Sequence, residues 1–139
     1  MSGKEKFSSE ISEIPESYQR YLDEIYTISH KRGGWVSNKE LAEKLDVKPA
    51  SVTGMLEKLE KQGLIDWKPR NKIRLTDKGK SIAKQLNETH ELLRSFFEKV
   101  LKIRDENVLD NLPCEIEHHI TADVKEALKD FLSKYLEQI

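Results

Sequence analysis

A chain of 139 residues suffices for one compact domain, or a small domain with a helical extension, and excludes two large ones. Charged residues make up 35% of it while the formal net charge is only −1, so the whole-molecule balance points to neither nucleic acid nor membrane. No apolar run could span a bilayer, the opening MSGKEKFSSE has no hydrophobic signal core, and a single cysteine cannot make an internal disulfide, which predicts a soluble cytoplasmic protein without a membrane partner.

In chain order, residues 1–14 are polar and aperiodic and are expected to form a flexible arm. Pro15 suits a helix start, and Tyr18, Tyr21, Leu22, Ile25, Tyr26 and Ile28 recur at helical spacing until KRGG at 31–34. In VSNKELAEKL, Ser37 or Asn38 can cap a short helix that turns Leu41, Ala42 and Leu45 inward. After the break DVK, Pro49 opens a longer helix to about Gln62 with Val52, Met55, Leu56 and Leu59 on one face, and Gly63 stops it. The period then changes: Leu64 to Trp67 and Lys72 to Leu75 read as two short strands around the basic tip KPRN. Asp77 is the expected cap of a long helix to about Val100, carrying Ile82, Leu86, Leu93, Phe96, Phe97 and Val100 on its apolar side. A short helical turn around Val108 and Leu109 precedes LPCEIEHHI at 112–120, and Thr121 is the expected cap of a last helix bearing Val124, Leu128, Phe131, Leu132, Tyr135 and Leu136. The fold class is mainly α with a small β-hairpin wing: a winged helix-turn-helix domain over 15–76 and a helical domain over 77–139.

Two helices separated by a three-residue break and followed by a basic-tipped hairpin are in the order helix, turn, helix, wing. Charge follows that order. Val36 to Lys80 holds eleven Lys/Arg against seven Asp/Glu, and Asp105 to Ile139 holds three against nine, an acidic surface suited to facing away from DNA. A reading helix offers its first turn to the major groove, which assigns Lys48, Pro49, Ala50, Ser51, Thr53 and Gly54 as candidate DNA contacts. None is an arginine that could grip guanine in two places, so readout leans on thymine methyls and DNA shape. In the wing, Lys68, Arg70, Lys72 and Arg74 are expected along phosphates. The plain alternative is a structural helix pair with a solvated tip.

A lone cysteine is by default a small buried hydrophobe, and Cys114 is otherwise a metal ligand or a reactive thiol. Its neighbours favour the metal. On a helix, Cys114, Glu117 and His118 share one face and offer thiolate, carboxylate and imidazole, a trident that needs further donors from another element. His90 and Asp23 are candidates for that role. Glu115 and His119 pair on another face and can be solvated. Singly, each histidine reads as an ordinary hydrogen-bonded helix residue.

Together these pieces resemble the metal-dependent repressors of the diphtheria toxin repressor and manganese transport regulator family, from about Tyr18 to Tyr135. The marks are YLDEIYTI, LDVKPASVTGMLEKLEKQGLI, LTDKGKSIAKQL, HELL at 90–93 and CEIEHH at 114–119, the last being the most specific. The resemblance implies a homodimer that binds a palindromic double-stranded DNA operator when loaded with a divalent transition metal, and no enzyme activity. By position, Cys114, Glu117 and His118 match primary ligands, while Asp23 and His90 match a neighbouring subsite of manganese-type members. The chain stops where longer members continue into an SH3-like domain.

Three positions depart from the family pattern. Arg20 stands where the family has aspartate or methionine, and arginine cannot ligate a cation. It can turn to solvent, or its guanidinium can pair with Glu117 and replace the metal charge, which would make a metal-independent regulator. Arg94 stands where a glutamate often assists the ancillary subsite, and Asp110 where iron-type members use histidine. Thiolate and imidazole donors lean toward zinc or iron over manganese. A small zinc hydrolase is disfavoured because the two-histidine protease spacing and any paired nucleophile and base are missing. A purely structural zinc site is the other rival.

Overall fold

A computed structural model describes residues 14–68 and 72–138, so the expected arm at 1–14, except for Ile14, and the wing residue Arg70 lie outside the described residues. The chain divides into two compact units, one of Ile14–Lys84 and one that, among the described residues, begins at Gln85.

In the first unit, α1 (Glu16–Arg32) starts at Pro15 and ends at Gly33 and Gly34, whose φ values of 80° and 83° suit glycine. β1 (Val36–Ser37) leads directly into α2 (Asn38–Leu45). Ser37 and Glu40 form a reciprocal capping box: Glu40 N–H donates to Ser37 Oγ at 3.1 Å and Ser37 N–H to Glu40 Oε1 at 2.9 Å. Asp46, at φ 55°, closes α2, and α3 (Pro49–Lys61) follows after Val47 and Lys48. β2 (Ile65–Lys68) and β3 (Lys72–Leu75) pair antiparallel in the register Ile65 to Leu75 and Lys68 to Lys72.

The expected two-strand hairpin is thus a three-stranded antiparallel sheet of order β1-β3-β2, because Val36 and Ser37 pair with Ile73 and Lys72. The first hairpin strand also begins one residue later than expected, since Leu64 N–H still bonds back to Leu59 in the turn after α3. Leu22, Ile25, Val36, Leu41, Val52, Leu56, Leu59, Leu64 and Ile73 are fully enclosed, so α1, α2, α3 and the inner sheet face share one core.

The long helix α4 (Asp77–Ser95) is capped by Thr76, not by Asp77. Thr76 Oγ1 accepts from Gly79 N–H at 3.1 Å and donates to the Gly63 carbonyl at 2.7 Å, which ties the turn after α3 to the start of α4. Gly79 is required there, because a Cβ would lie 2.1 Å from the Leu64 carbonyl oxygen.

In the second unit, α4 runs on into a π turn, Phe96–Val100. α5 (Glu106–Ile116) follows, with Asp105 accepting from Asn107 N–H at 2.9 Å as its cap. The expected separate turn at Val108 is therefore part of one helix that continues through the buried Pro113. A 3-10 turn (Glu117–His119) ends it, and α6 (Ala122–Glu137) follows. Thr121 occupies the N-cap position of α6, but its hydroxyl donates to Asp123 Oδ1 instead of accepting from the backbone. Lys125 Nζ on α6 reaches the Gln85 carbonyl at 3.2 Å and Glu88 Oε1 at 3.0 Å on α4, and Phe131 stacks edge-on to Phe96. Leu86, Leu93, Leu109, Pro113 and Leu132 fill the interior.

Candidate metal centre and nucleic-acid interface

The carboxylate of Glu117 is the centre of the donor cluster in the second unit. The 3-10 turn tightens the chain after Ile116 and turns Glu117 inward, so that its side chain has 0% exposure. Its Oε1 lies 3.0 Å from His90 Nδ1 on α4. Cys114 Sγ, one turn earlier on α5, lies within 4.8 Å of a Glu117 carboxylate oxygen. His118, next in the chain, is half-buried, and its Nε2 and Glu117 Oε2 are both shielded from solvent.

An ionised carboxylate taken out of water demands a compensating cation and hydrogen bonds. Bonds of about 2.0–2.3 Å to one ion would place its donors about 3–4.6 Å apart, a range that the Cys114 to Glu117 separation, within 4.8 Å, approaches. The donor set of carboxylate, sulfur and imidazole therefore fits a divalent transition metal. The contact through Nδ1 also sets the neutral His90 ring with its proton toward Glu117 and its lone pair on Nε2.

Glu115 and His119 are exposed. Asp23 is half-buried on α1, in the first unit, where its carbonyl accepts from the Thr27 hydroxyl at 2.9 Å. Arg20, one turn before it, is exposed and binds Glu16 Oε2 on its own helix through Nε at 3.2 Å and Nη2 at 2.8 Å. Arg94 and Asp110, the other departures, bind each other at 2.7 Å.

In the first unit, Lys48, Pro49, Ala50, Ser51 and Gly54 are exposed on the first turns of α3, and no side chain caps the helix. Such a helix start can face an anion. Thr53 differs from these neighbours. It is half-buried, its hydroxyl accepts from Asn38 Nδ2 at 3.1 Å, and it donates to the Pro49 carbonyl at 3.2 Å. Periodicity did not single out Asn38 in this bracing role; an asparagine at the first position of a helix, fifteen residues before Thr53, was the available signal. Lys68, Lys72 and Arg74 are exposed on the wing. Arg74 is steadied there by Asp66 at 3.6 Å and by the Trp35 ring, with 4.6 Å from guanidinium carbon to ring centroid.

A helix-turn-helix with a three-stranded wing, joined to a helical unit that concentrates metal donors, defines a DNA-binding regulator of the metal-responsive kind. The comparisons with known proteins specify the family. Residues 13–73 match the iron dependent repressor, N-terminal DNA binding domain, and residues 76–137 match the iron dependent repressor, metal binding and dimerisation domain. The chain belongs to this family of metal-dependent transcriptional regulators, which includes the diphtheria toxin repressor and manganese transport regulator proteins.

An uncharacterised HTH-type transcriptional regulator of Methanocaldococcus jannaschii is 31% identical over 126 residues, 91% of this chain and 100% of the relative. The HTH-type transcriptional regulator MntR of Oceanobacillus iheyensis is 34% identical over 119 residues, 86% of this chain and 79% of that one. A solved manganese-dependent transcriptional repressor in complex with manganese aligns with a TM-score of 0.76 at 28% identity, covering 84% of this chain and 52% of that chain. The chain thus spans about half the length of that solved repressor. Among the described residues no helix is long and apolar enough to cross a membrane.

Proposed function

We propose that this chain is a cytoplasmic, metal-gated transcriptional repressor that binds a palindromic operator as a homodimer. The observation that carries the proposal is the convergence of His90, Cys114 and Glu117 around an enclosed carboxylate in a chain that also holds a reading helix. His90, Cys114, Glu117 and His118 would hold the ion, and Asp23 is proposed as a further ligand from its position in the family pattern. When bound, a divalent cation supplies the positive charge that an enclosed carboxylate and a thiolate need.

The protein residues do the rest. His90 orients the Glu117 carboxylate through Nδ1, and Cys114 adds a soft donor that favours zinc or iron. Lys48, Pro49, Ala50, Ser51 and Gly54 meet base edges and phosphates, Thr53 holds the reading helix to α2, and Lys68, Arg70, Lys72 and Arg74 follow the backbone. Two readers in a dimer address half-sites about 34 Å apart or a multiple of that.

Fluorescence anisotropy of metal-stripped protein on its own upstream DNA, in EDTA and then with zinc, ferrous iron or manganese at fixed salt, tests the proposal. Binding that requires one of the ions is expected. Equally tight sequence-specific binding in EDTA would refute metal gating and make Arg20→Ala the next variant to measure.

A further inference from the structure

One helical turn beyond His90, α4 and α5 share a second polar contact. Arg94 projects from the same face of α4 as His90. Its Nη1 donates to Asp110 Oδ1 at 2.7 Å and its Nη2 to Glu106 Oε1 at 3.0 Å. On α5, Glu106, Asp110 and Cys114 recur every four residues and form one file that leads to Glu117. The guanidinium is the sheltered partner, 25% exposed against 69% for Glu106 and 67% for Asp110, so the two carboxylates close over it from outside.

Two carboxylates four residues apart, opposite a histidine-bearing helix, are oxygen donors of the kind that hard divalent cations take. Here they already hold a cation, one attached to α4 and unable to lose its proton at any physiological pH. The planar guanidinium reaches both carboxylates at once, which a lysine ammonium does not reproduce. The same fork crosses from α4 to α5 one turn from each of the donors His90 and Cys114, so it sets the spacing between the two helices at the metal centre.

We infer that Arg94 limits this site to one metal ion per chain and, by locking α5 to α4 through Asp110 and Glu106, positions Cys114 and Glu117 against His90. The inference rests on the metal-binding reading above. It divides the donors by chemistry: the exposed oxygen pair belongs to arginine, and the enclosed carboxylate, thiol and imidazoles belong to the ion. Arg94 is a positioning residue, acting through the two carboxylates.

Equilibrium dialysis of the full chain against zinc and against manganese, with bound ion counted per chain, tests both halves. The wild-type chain saturates at one ion. Arg94→Gln frees the carboxylates, takes a second ion in manganese, and holds its first ion about tenfold or more weakly. Adding Glu106→Gln and Asp110→Asn to Arg94→Gln returns the count to one.

In the wild-type background, the pair Glu106→Gln and Asp110→Asn weakens the first ion without admitting a second, and circular dichroism of each variant checks its fold. Two ions on the wild-type chain, or no second ion on Arg94→Gln, would overturn the exclusion. Unchanged first-ion affinity in both Arg94→Gln and the carboxylate pair would overturn the positioning. No ion on the wild-type chain would overturn the metal-binding reading itself, an outcome distinct from the others.

Discussion

His90 Nδ1 and Glu117 Oε1 stand 3.0 Å apart, joining the long helix to the turn after α5 around a carboxylate with no exposure. The pair gives the metal centre its order, because the imidazole orients the carboxylate and the carboxylate fixes the imidazole tautomer. Glu117→Gln keeps the shape and removes the charge. It is expected to weaken zinc or iron binding by about 10–100-fold or more in competition with a fluorescent chelator. Metal at a hundredfold excess over its dissociation constant should stabilise the wild-type chain by about 2.7 kcal/mol and the variant by much less. An unchanged affinity in Glu117→Gln would remove Glu117 from the ligand set.

Punctuating residues made much of the first unit legible. Gly33 with Gly34, Ser37, Pro49 and Gly63 each mark a boundary through a local backbone demand, and the observed elements begin or end where those demands fall. What escaped was non-local. β1 is two residues long and exists because β3 lies beside it, and Thr76 wins the cap of α4 because the Gly63 carbonyl is within its reach. The turn expected around Val108 and Leu109 is instead the start of α5, which runs on through Pro113 with the ring enclosed. At the candidate metal centre, Cys114, Glu117 and His118 could be grouped by spacing, whereas the meeting of His90 and Glu117 across twenty-seven residues required the fold.

Gly79 faces the Leu64 carbonyl so closely that a Cβ would lie 2.1 Å from it. Gly79→Ala must push the start of α4 away from the turn after α3 and disturb the Thr76 bridge. A loss of about 1–3 kcal/mol or more is expected from forced overpacking, read by urea unfolding. Stability equal to wild type would mean that α4 can start elsewhere at no cost.

Asn38 is buried, and its Nδ2 bond to Thr53 Oγ1 is a side-chain link from α2 to the reading helix. Thr53→Val removes the acceptor, keeps the volume and leaves a buried amide with less to bond. The expected cost is about 1–3 kcal/mol in unfolding free energy, accompanied by weaker operator binding. If stability is unchanged and only DNA affinity falls, Thr53 is a direct base contact and not a brace.

On the wing, Lys68 and Lys72 are exposed and pair in register, while Arg74 is held by Asp66 and Trp35. Cations placed along phosphates act through counterion release. Replacing Lys68 or Lys72 with alanine should therefore lower the slope of log affinity against log salt by about 0.9 each, with little change in operator preference. Arg74→Ala should match that loss and also free Asp66, whose negative charge then faces the DNA and lowers affinity further. Anisotropy titrations at several salt concentrations read both effects, and a slope that does not move would place the wing away from the backbone.

Asp123 in the first turn of α6 accepts from the Thr121 hydroxyl and, at 3.1 Å, from Val124 N–H. The Thr121 hydrogen bond is the largest cause holding its carboxyl below the usual range, followed by the backbone N–H groups of Asp123 and Val124. A carboxylate whose pKa is lowered on folding adds stability that is complete above its unfolded pKa of about 3.9 and fades as pH falls through the folded value. The negative charge also suits a helix start. Asp123→Asn should therefore lower the melting temperature slightly at neutral pH and converge with wild type in strong acid, where both side chains are uncharged. Thermal unfolding of both proteins from pH 6 down to pH 2 measures the difference, and curves that stay parallel across that range would show that the Asp123 charge contributes nothing to α6.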